Sequence, residues 1–295
     1  MCGLNSVRTA TRERLNNSMT MERIAASNAQ YIRYPFDAFV EEQRKCGIRQ
    51  MEFVAQVPHL WCDHIECEDS SRIVDSLKGA DMRLVAFSPK SYRYSVCAKV
   101  ESKQGEATLA YFRNAMKIAK QLHSPVLCVE ISGGCFDVPR EILWRHCRKM
   151  LQELCETAET LDVFLATGIA SPENSSILLS LAELRQMKHE VGSQHHKIIL
   201  DTHVMSMVGE EIPQWFDAFG ADIALVRFID GNYKGPRVWG EGCLPCAGFF
   251  KQIVSEGYKG VFSQYRKGEN DIGNPFEADE RNYRYLLEQL EPISL

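Results

Sequence analysis

The feature that most limits the fold of this chain is a regular alternation of short apolar runs with helical patterns. Runs typical of buried parallel strands fall in residues 23–27, 50–55, 83–87, 126–131, 163–167, 198–201, 223–229 and 260–264. Helical periodicity falls in residues 36–46, 71–80, 106–122, 140–161, 177–191, 212–219, 247–256 and 275–290. This α/β pattern, repeated eight times, favours a closed (β/α)8 TIM barrel over an open doubly wound sheet. No GxGxxG motif follows the first run, so a dinucleotide site is not indicated.

Length and composition are consistent with one domain. A chain of 295 residues with 45% hydrophobic content can bury a large core, and we assign residues 19–295 to a single barrel. Residues 1–18 are polar and without a sustained period, and we expect an extension that adds little to the core. The net charge of -5 and the lack of a basic tract argue against nucleic acid as a partner. The apolar runs are too short for a membrane helix.

The chain has eleven cysteines, which raises the question of disulfides. Most of them, such as Cys46, Cys128, Cys147 and Cys155, lie inside apolar periodic segments, and no signal peptide is recognisable. We therefore predict reduced thiols in a cytoplasmic protein. Cys243 and Cys246 form a CxxC without a second metal-binding pair, which favours incidental thiols over a zinc site or a redox pair.

Candidate catalytic residues follow from the barrel rule that residues at the carboxyl ends of the strands face the active site. Asp201 closes the sixth apolar run, and Arg227 lies inside the seventh. His203 follows Asp201 closely and has a side chain whose ordinary pKa suits proton transfer. An ordinary hydrogen bond at a strand end is the alternative for His203.

Several motifs resemble the xylose isomerase-like TIM barrels of the sugar isomerase/epimerase family, with fructoselysine and ketose 3-epimerases as the nearest type. They are Leu200-Asp201, the loop Gly240-Glu241-Gly242, the step Gly257-Tyr258-Lys259-Gly260, Pro58-His59 and Pro172-Glu173-Asn174. The likeness extends over residues 23–290. It implies a site for a small sugar or sugar derivative at the carboxyl face of the barrel.

The same resemblance implies a divalent metal held by a Glu, an Asp, a His and a second Glu, with the two Glu residues moving a proton. These positions fall on Thr167, Asp201, Arg227, and Tyr265 or Gln264. An arginine cannot donate a lone pair to a metal and is always charged. We therefore expect no metal and no other cofactor. Arg227 either binds a sugar oxygen or phosphate in the former metal space or forms a buried ion pair with Asp201, and these interpretations are compatible.

Further candidates are residues for substrate binding. His59 and Glu173 match positions that contact the substrate in the family, although a packed histidine and a solvated carboxylate are the alternatives. Trp61 and Tyr92 are candidate platforms for the apolar face of a sugar. Lys90, after the third strand, and Lys234, beyond the seventh, complete the set.

Two functions remain open from the sequence. The first is a sugar-binding isomerase or epimerase relative whose chemistry is independent of metal. The second is a non-catalytic paralogue that binds a sugar or serves as a partner subunit, as a homo-oligomer or with an active relative.

Overall fold

Eight parallel strands close into a barrel in the computed structural model, which describes residues 19–91, 93–266 and 271–290. The barrel strands are β1 (Ile24–Ser27), β2 (Gln50–Ala55), β3 (Arg83–Pro89), β4 (Val126–Val129), β5 (Phe164–Thr167), β6 (His196–Asp201), β7 (Ile223–Arg227) and β10 (Phe262–Ser263). Around the barrel the order is β1, β10, β7, β6, β5, β4, β3 and β2, and every neighbouring pair is parallel. The predicted (β/α)8 fold is confirmed.

Helices surround the barrel. They are α1 (Phe36–Lys45), α2 (Ser71–Gly79), α3 (Lys103–Gln121), α4 (Arg140–Leu161), α5 (Leu181–Val191), α6 (Thr202–Met207), α7 (Ile212–Phe219), α8 (Cys246–Ser255) and α9 (Pro275–Tyr285), the last continued by a π-turn at Leu286–Leu290. Side-chain caps set several of the starts: Ser102, Ser180 and Asn274 each accept a hydrogen bond from a backbone N–H in the first turn. The helix predicted from residue 177 therefore begins at Leu181.

Two elements at the carboxyl end of the barrel differ from the prediction. The short helix α6 follows β6 directly, because the carboxylate of Asp201 caps it by accepting hydrogen bonds from the N–H groups of His203 and Val204. The run predicted as a strand to residue 229 ends at Arg227. Beyond it, β8 (Asp230–Asn232) and β9 (Gly235–Arg237) form a small antiparallel hairpin.

The core has two layers. Large apolar side chains fill the space between the strands and the helices, among them Phe53, Phe87 and Trp215. Smaller residues fill the barrel interior: Ala86, Val126, Cys128, Ala166, Ile199 and Leu225. Because side chains alternate across a strand, the residues two positions beyond these also point inward, toward the carboxyl mouth. Among the described residues, no helix is both long and apolar enough to cross a membrane.

The cysteines follow the prediction with one correction. Cys62 and Cys67, in the loop after β2, form a disulfide, whereas all had been expected to be reduced. An isolated antiparallel bridge between these two residues brings their Cα atoms to 4.1 Å, a contact that cannot be read from their spacing alone. The remaining described cysteines are free thiols. Of the predicted features, the extension at residues 1–18 and the platform Tyr92 lie outside the described residues.

Candidate functional site

A cavity of about 640 Å³ opens at the carboxyl end of the barrel. Its floor is formed by side chains at the strand ends: Glu130 after β4, Asp201 on β6, Arg227 on β7 and Tyr265 after β10. Its wall comes from the loop after β5, from α6 and from the β8–β9 hairpin. This is the face at which TIM barrels carry their active sites.

Arg227 is held in the floor by a buried carboxylate. Both Nε and Nη2 of Arg227 donate hydrogen bonds to Oε1 of Glu52, at 3.0 and 2.6 Å. Two hydroxyl groups complete the network: Ser88 donates to Glu52 Oε1 at 2.6 Å, and Ser263 donates to Oε2 at 2.5 Å. Glu52 is fully enclosed and Arg227 nearly so. The buried charges are thus paired and hydrogen-bonded, as a low-polarity interior requires.

The cavity side of Arg227 faces a second carboxylate and an aromatic ring. Nη1 of Arg227 lies 3.6 Å from Glu130 Oε1, and the guanidinium carbon lies 4.1 Å from the centre of the Tyr265 ring. The Tyr265 hydroxyl donates to Glu130 Oε1 at 3.2 Å. Charge and ring stacking therefore fix the plane of the guanidinium.

The surroundings of Arg227 keep it charged. Burial would lower the pKa of this guanidinium, but the negatively charged carboxylates beside it, Glu52 above all and also Glu130, raise it well above its usual value. For Tyr265, burial and the neighbouring Glu130 carboxylate raise the phenol pKa well above the usual range. Burial raises the pKa of Cys128 beneath the floor to about 12. The floor thus holds a permanent cation beside a neutral phenol.

Asp201 has a different environment. Its Oδ1 accepts the N–H groups of His203 and Val204, both at 3.0 Å. Burial raises the pKa of the Asp201 carboxyl, against the lowering effects of these N–H groups, Arg227 and His203. A carboxyl group whose pKa is shifted toward neutrality at a cavity floor is suited to proton transfer.

The predicted ion pair between Asp201 and Arg227 takes another form. The two are register partners on adjacent strands. Within the described part of the chain, however, the ion pairs of Arg227 are with Glu52 and Glu130. Arg227 still lowers the pKa of Asp201 through space. The reason for the difference is that the guanidinium extends across the barrel, toward β2 and β4.

The four positions matched to metal ligands do not all meet. Asp201, Arg227 and Tyr265 line the cavity. Thr167, in contrast, is hydrogen-bonded through Oγ1 to Nε2 of His196, at 2.8 Å. Gln264 is hydrogen-bonded to Tyr283 and Asn282. Strand alternation explains this, because Ala166 points into the barrel and Gly168, not Thr167, reaches the cavity. Among the described residues, no group of three or more His, Cys, Asp or Glu is placed to hold a metal ion.

Three of the predicted substrate contacts lie outside the cavity lining. His59 is buried, with Nδ1 2.7 Å from the Asn28 amide nitrogen and Nε2 2.9 Å from the Tyr34 carbonyl oxygen. Trp61 belongs to the disulfide loop and is 43% exposed. Lys90 is half-buried, and its Nζ lies 3.4 Å from the hydroxyl of Tyr265 in the floor. In the structure His59 is therefore a packed, hydrogen-bonded histidine, and Lys90 reaches the cavity floor only through Tyr265.

The other predicted residues do line the cavity. His203 lines the cavity and packs closely against Gly231. A Cβ atom on residue 231 would lie 2.1 Å from Cδ2 of the His203 ring, so the contact requires glycine. Glu173, in the loop after β5, and Lys234, in the hairpin turn, are exposed on the cavity wall. The structure therefore brings together Asp201, His203, Arg227, Glu173 and Lys234.

Sequence reasoning missed Glu52 and Glu130. Glu52 lies inside the apolar run of β2, as Arg227 lies inside that of β7. A charged residue within a buried strand needs a partner of opposite charge, and this complementarity was the available signal. Glu130 follows the apolar end of β4, so the strand-end rule that selected Asp201 also applied to it.

Asp230 organises the glycine-rich loop around the cavity. Its buried carboxylate accepts four backbone N–H groups, from Gly231, Gly240, Gly242 and Leu244, at 2.7 to 3.1 Å. A Cβ on Gly242 would lie 2.1 Å from Asp230 Oδ1, so only glycine allows this approach. The loop is therefore fixed by one carboxylate.

Known proteins share this architecture. The chain is 20% identical over 232 residues to fructoselysine 3-epimerase of Escherichia coli O157:H7, covering 77% of this chain and 84% of that enzyme. Among solved structures, an L-ribulose 3-epimerase superposes with a TM-score of 0.74 at 16% identity, covering 92% of this chain and 95% of the other. An IolI protein with a bound zinc atom gives 0.75 at 14% identity, covering 92% and 99%.

These structural likenesses, at such low identity, establish the fold. The family assignment comes from the sequence itself. The signature described as "Xylose isomerase-like TIM barrel" matches residues 40–291, which is most of the chain. The chain therefore belongs to the xylose isomerase-like TIM barrel family.

Proposed function

We propose that this protein binds a small sugar or sugar derivative in the cavity at the carboxyl face of its barrel. One observation carries the proposal: the floor presents a fixed guanidinium, Arg227, between the carboxylates Glu130 and Asp201. A polyol offers hydroxyl groups that both donate and accept, and it can satisfy a cation and two carboxylates together. The relatives named as fructoselysine and ribulose 3-epimerases act on such molecules.

The proposal includes binding without a divalent metal. The IolI relative contains zinc, so the fit of a cation to this site needs a test against the residues present. Glu52 is already bonded by Arg227, Ser88 and Ser263, and Glu130 by Tyr265 and Arg227. A divalent ion would have to displace these bonds and lie near a permanent cation. This donor set does not fit a metal, and the guanidinium provides the positive charge in the floor.

The non-catalytic alternative has an observation of its own. The inward positions at the ends of β5 and β10 hold Gly168 and Tyr265, and neither can exchange a proton near neutral pH. Proton transfer in the cavity would then fall to other groups that line it, namely Asp201, His203, Glu130 and Glu173. A paralogue that binds a sugar without converting it agrees with the lack of a proton-exchanging group at the two inward positions.

Calorimetric titration tests the proposal. Protein treated with a chelator is titrated with ketoses such as D-fructose, L-ribulose and D-tagatose, and the same mixtures are assayed for epimerised products. We expect saturable binding that weakens at least tenfold in Arg227→Met, because truncation removes the donors that the guanidinium offers to the sugar oxygens. Ile65→Ala, an exposed residue outside the cavity, is the control. Binding that is absent, or equal in Arg227→Met and wild type, contradicts the proposal. Binding without product supports the non-catalytic alternative.

A further inference from the structure

The cavity has an apolar wall in addition to its charged floor. Four residues that line it, Met207, Tyr233, Pro236 and Leu244, come from α6, the β8–β9 hairpin and the loop that follows. Met207 is 54% exposed and Tyr233 is 91% exposed. Both are among the large hydrophobic residues left open to water in the described chain. Because these two side chains line a cavity, they offer apolar surface that a bound ligand can cover.

This wall is held in place by its backbone. The hydroxyl of Thr202 donates to the Ile229 carbonyl and accepts from the Ile229 N–H, both at 2.8 Å, and so joins the start of α6 to the start of the hairpin. His203 packs on Gly231, and the buried Asp230 carboxylate fixes the loop up to Leu244. The apolar side chains are therefore presented by a preorganised support, which lowers the entropic cost of binding.

The size of the cavity agrees with a ligand larger than one sugar. Its volume of about 640 Å³ falls in the middle of the range of roughly 300–1,000 Å³ that drug-sized ligands occupy. Arg227 and Asp201 line the floor of this cavity, and Met207 and Tyr233 line its wall, so a ligand that contacts both needs a second group besides the sugar ring. A flat aromatic group suits this wall, because aromatic pairs gain from stacking as well as from burial.

We propose that the natural ligand is a sugar that carries an apolar substituent, such as an aryl or alkyl glycoside. The sugar part lies on the charged floor, and the substituent lies against Met207 and Tyr233. This inference rests on the proposed function, since the floor must bind the sugar. It adds a second subsite and names the class of ligand.

Matched pairs of ligands test the inference. D-Glucose is compared with phenyl β-D-glucopyranoside, and D-galactose with phenyl β-D-galactopyranoside, by calorimetric titration of the full chain. We expect each phenyl glycoside to bind about tenfold to a hundredfold more tightly than its free sugar, as the burial of an aromatic group predicts. In the double variant Met207→Ala/Tyr233→Ala the ratio of the two affinities should fall close to one. Ile65→Ala, which removes an exposed apolar side chain elsewhere, should leave the ratio unchanged.

The outcomes separate the two proposals. Equal affinities for the free sugar and its glycoside in the wild type overturn the apolar subsite and leave the proposed function standing. If neither member of any pair binds, and the ketoses do not bind either, both proposals fall. A ratio that persists in the double variant also overturns the inference. The inference is also overturned if the double variant changes the sedimentation coefficient but keeps the ratio of the two affinities. In that case a second copy of the chain covers this wall. Melting temperatures confirm that each variant is folded.

Discussion

Glu52 on β2 accepts two hydrogen bonds from Arg227 on β7, although β1 and β10 lie between these strands around the barrel. The pair is enclosed by protein, and Ser88 and Ser263 use the remaining acceptor capacity of the carboxylate. A buried pair of this kind contributes little net stability compared with apolar residues, but the loss of one partner is costly. Its contribution is to aim the guanidinium at the cavity.

The first prediction concerns this pair. Glu52→Gln leaves the charge of Arg227 buried without its carboxylate, and we expect a loss of about 3–5 kcal/mol in the free energy of unfolding. Urea denaturation followed by circular dichroism measures it. The matched control is Glu41→Gln, which breaks the exposed pair with Arg44 and should change the stability far less, because solvent screens that pair.

A double variant makes the test specific. Glu52→Gln/Arg227→Met removes both charges, and it should recover part of the stability lost in Glu52→Gln, since no unpaired charge remains. The prediction is wrong if Glu52→Gln costs no more than Glu41→Gln, or if the double variant is less stable than the sum of its single changes predicts.

The second prediction is a pH dependence that arises from His196. Burial lowers the pKa of this ring to about 3 from an ordinary 6.5, so it is neutral in the folded chain and protonated in the unfolded chain between these values. Unfolding then takes up a proton, and stability is lost as the pH falls below about 6.5. Between pH 7 and pH 5 this residue should contribute a loss of about 2 kcal/mol.

His196→Gln tests that contribution, because glutamine can keep the hydrogen bond to Thr167 and does not titrate. The stability of the variant should depend less on pH between 7 and 5 than that of the wild type, as measured by urea denaturation at each pH. His189→Gln, on the exposed side of α5, is the control and should keep the wild-type slope. Identical slopes in wild type and His196→Gln would disprove the assignment.

Much of the fold could be predicted because periodicity reports burial directly. Even β10, with only two paired residues, follows from its apolar context and from the requirement that the barrel closes. The β8–β9 hairpin could not be predicted, because its support is a carboxylate that binds N–H groups up to fourteen residues further along the chain. Almost every residue has a backbone N–H donor, so the sequence does not show which of these donors bind the Asp230 carboxylate.

For the site, the strand-end rule was sufficient for Asp201 and Arg227, and it also applied to Glu130. It could not select Glu52, which lies inside β2. Glu52 and Arg227 are 175 residues apart in sequence, and only closure of the barrel brings them together. The error at Thr167 has another cause. A shift of one residue in a strand reverses the direction of the side chain, so a position matched by counting residues can point away from the cavity.

The third prediction concerns residues 1–18. Their polar composition offers little to bury, so a chain that begins at Met19 should melt close to the full chain. A loss of about 1 kcal/mol would lower the melting temperature by roughly 2–4 °C in a chain of this size. Differential scanning calorimetry of the two chains measures it, and a larger drop would show that the segment packs on the barrel.

The last prediction is that millimolar Mn²⁺ does not raise the melting temperature and that purified protein contains far less than one divalent ion per chain. Counting only Asp201 and Arg227 predicts a neutral site, but the structure adds the carboxylates of Glu52 and Glu130. The prediction therefore depends on Arg227.

The guanidinium of Arg227 repels a metal ion. A unit positive charge about 4 Å from it is repelled by roughly 4 kcal/mol at an effective dielectric of 20, and a dication by twice that. A ligand stabilises only through binding to the folded state, so weak binding gives no shift. Arg227→His alone should not restore binding, because Glu52 stays hydrogen-bonded to Ser88 and Ser263, Glu130 stays bonded to Tyr265, and Gly168 supplies no further carboxylate. Elemental analysis that finds about one Mn, Co, Zn or Mg per chain, lost in Asp201→Ala, would overturn this prediction and support metal-dependent epimerisation.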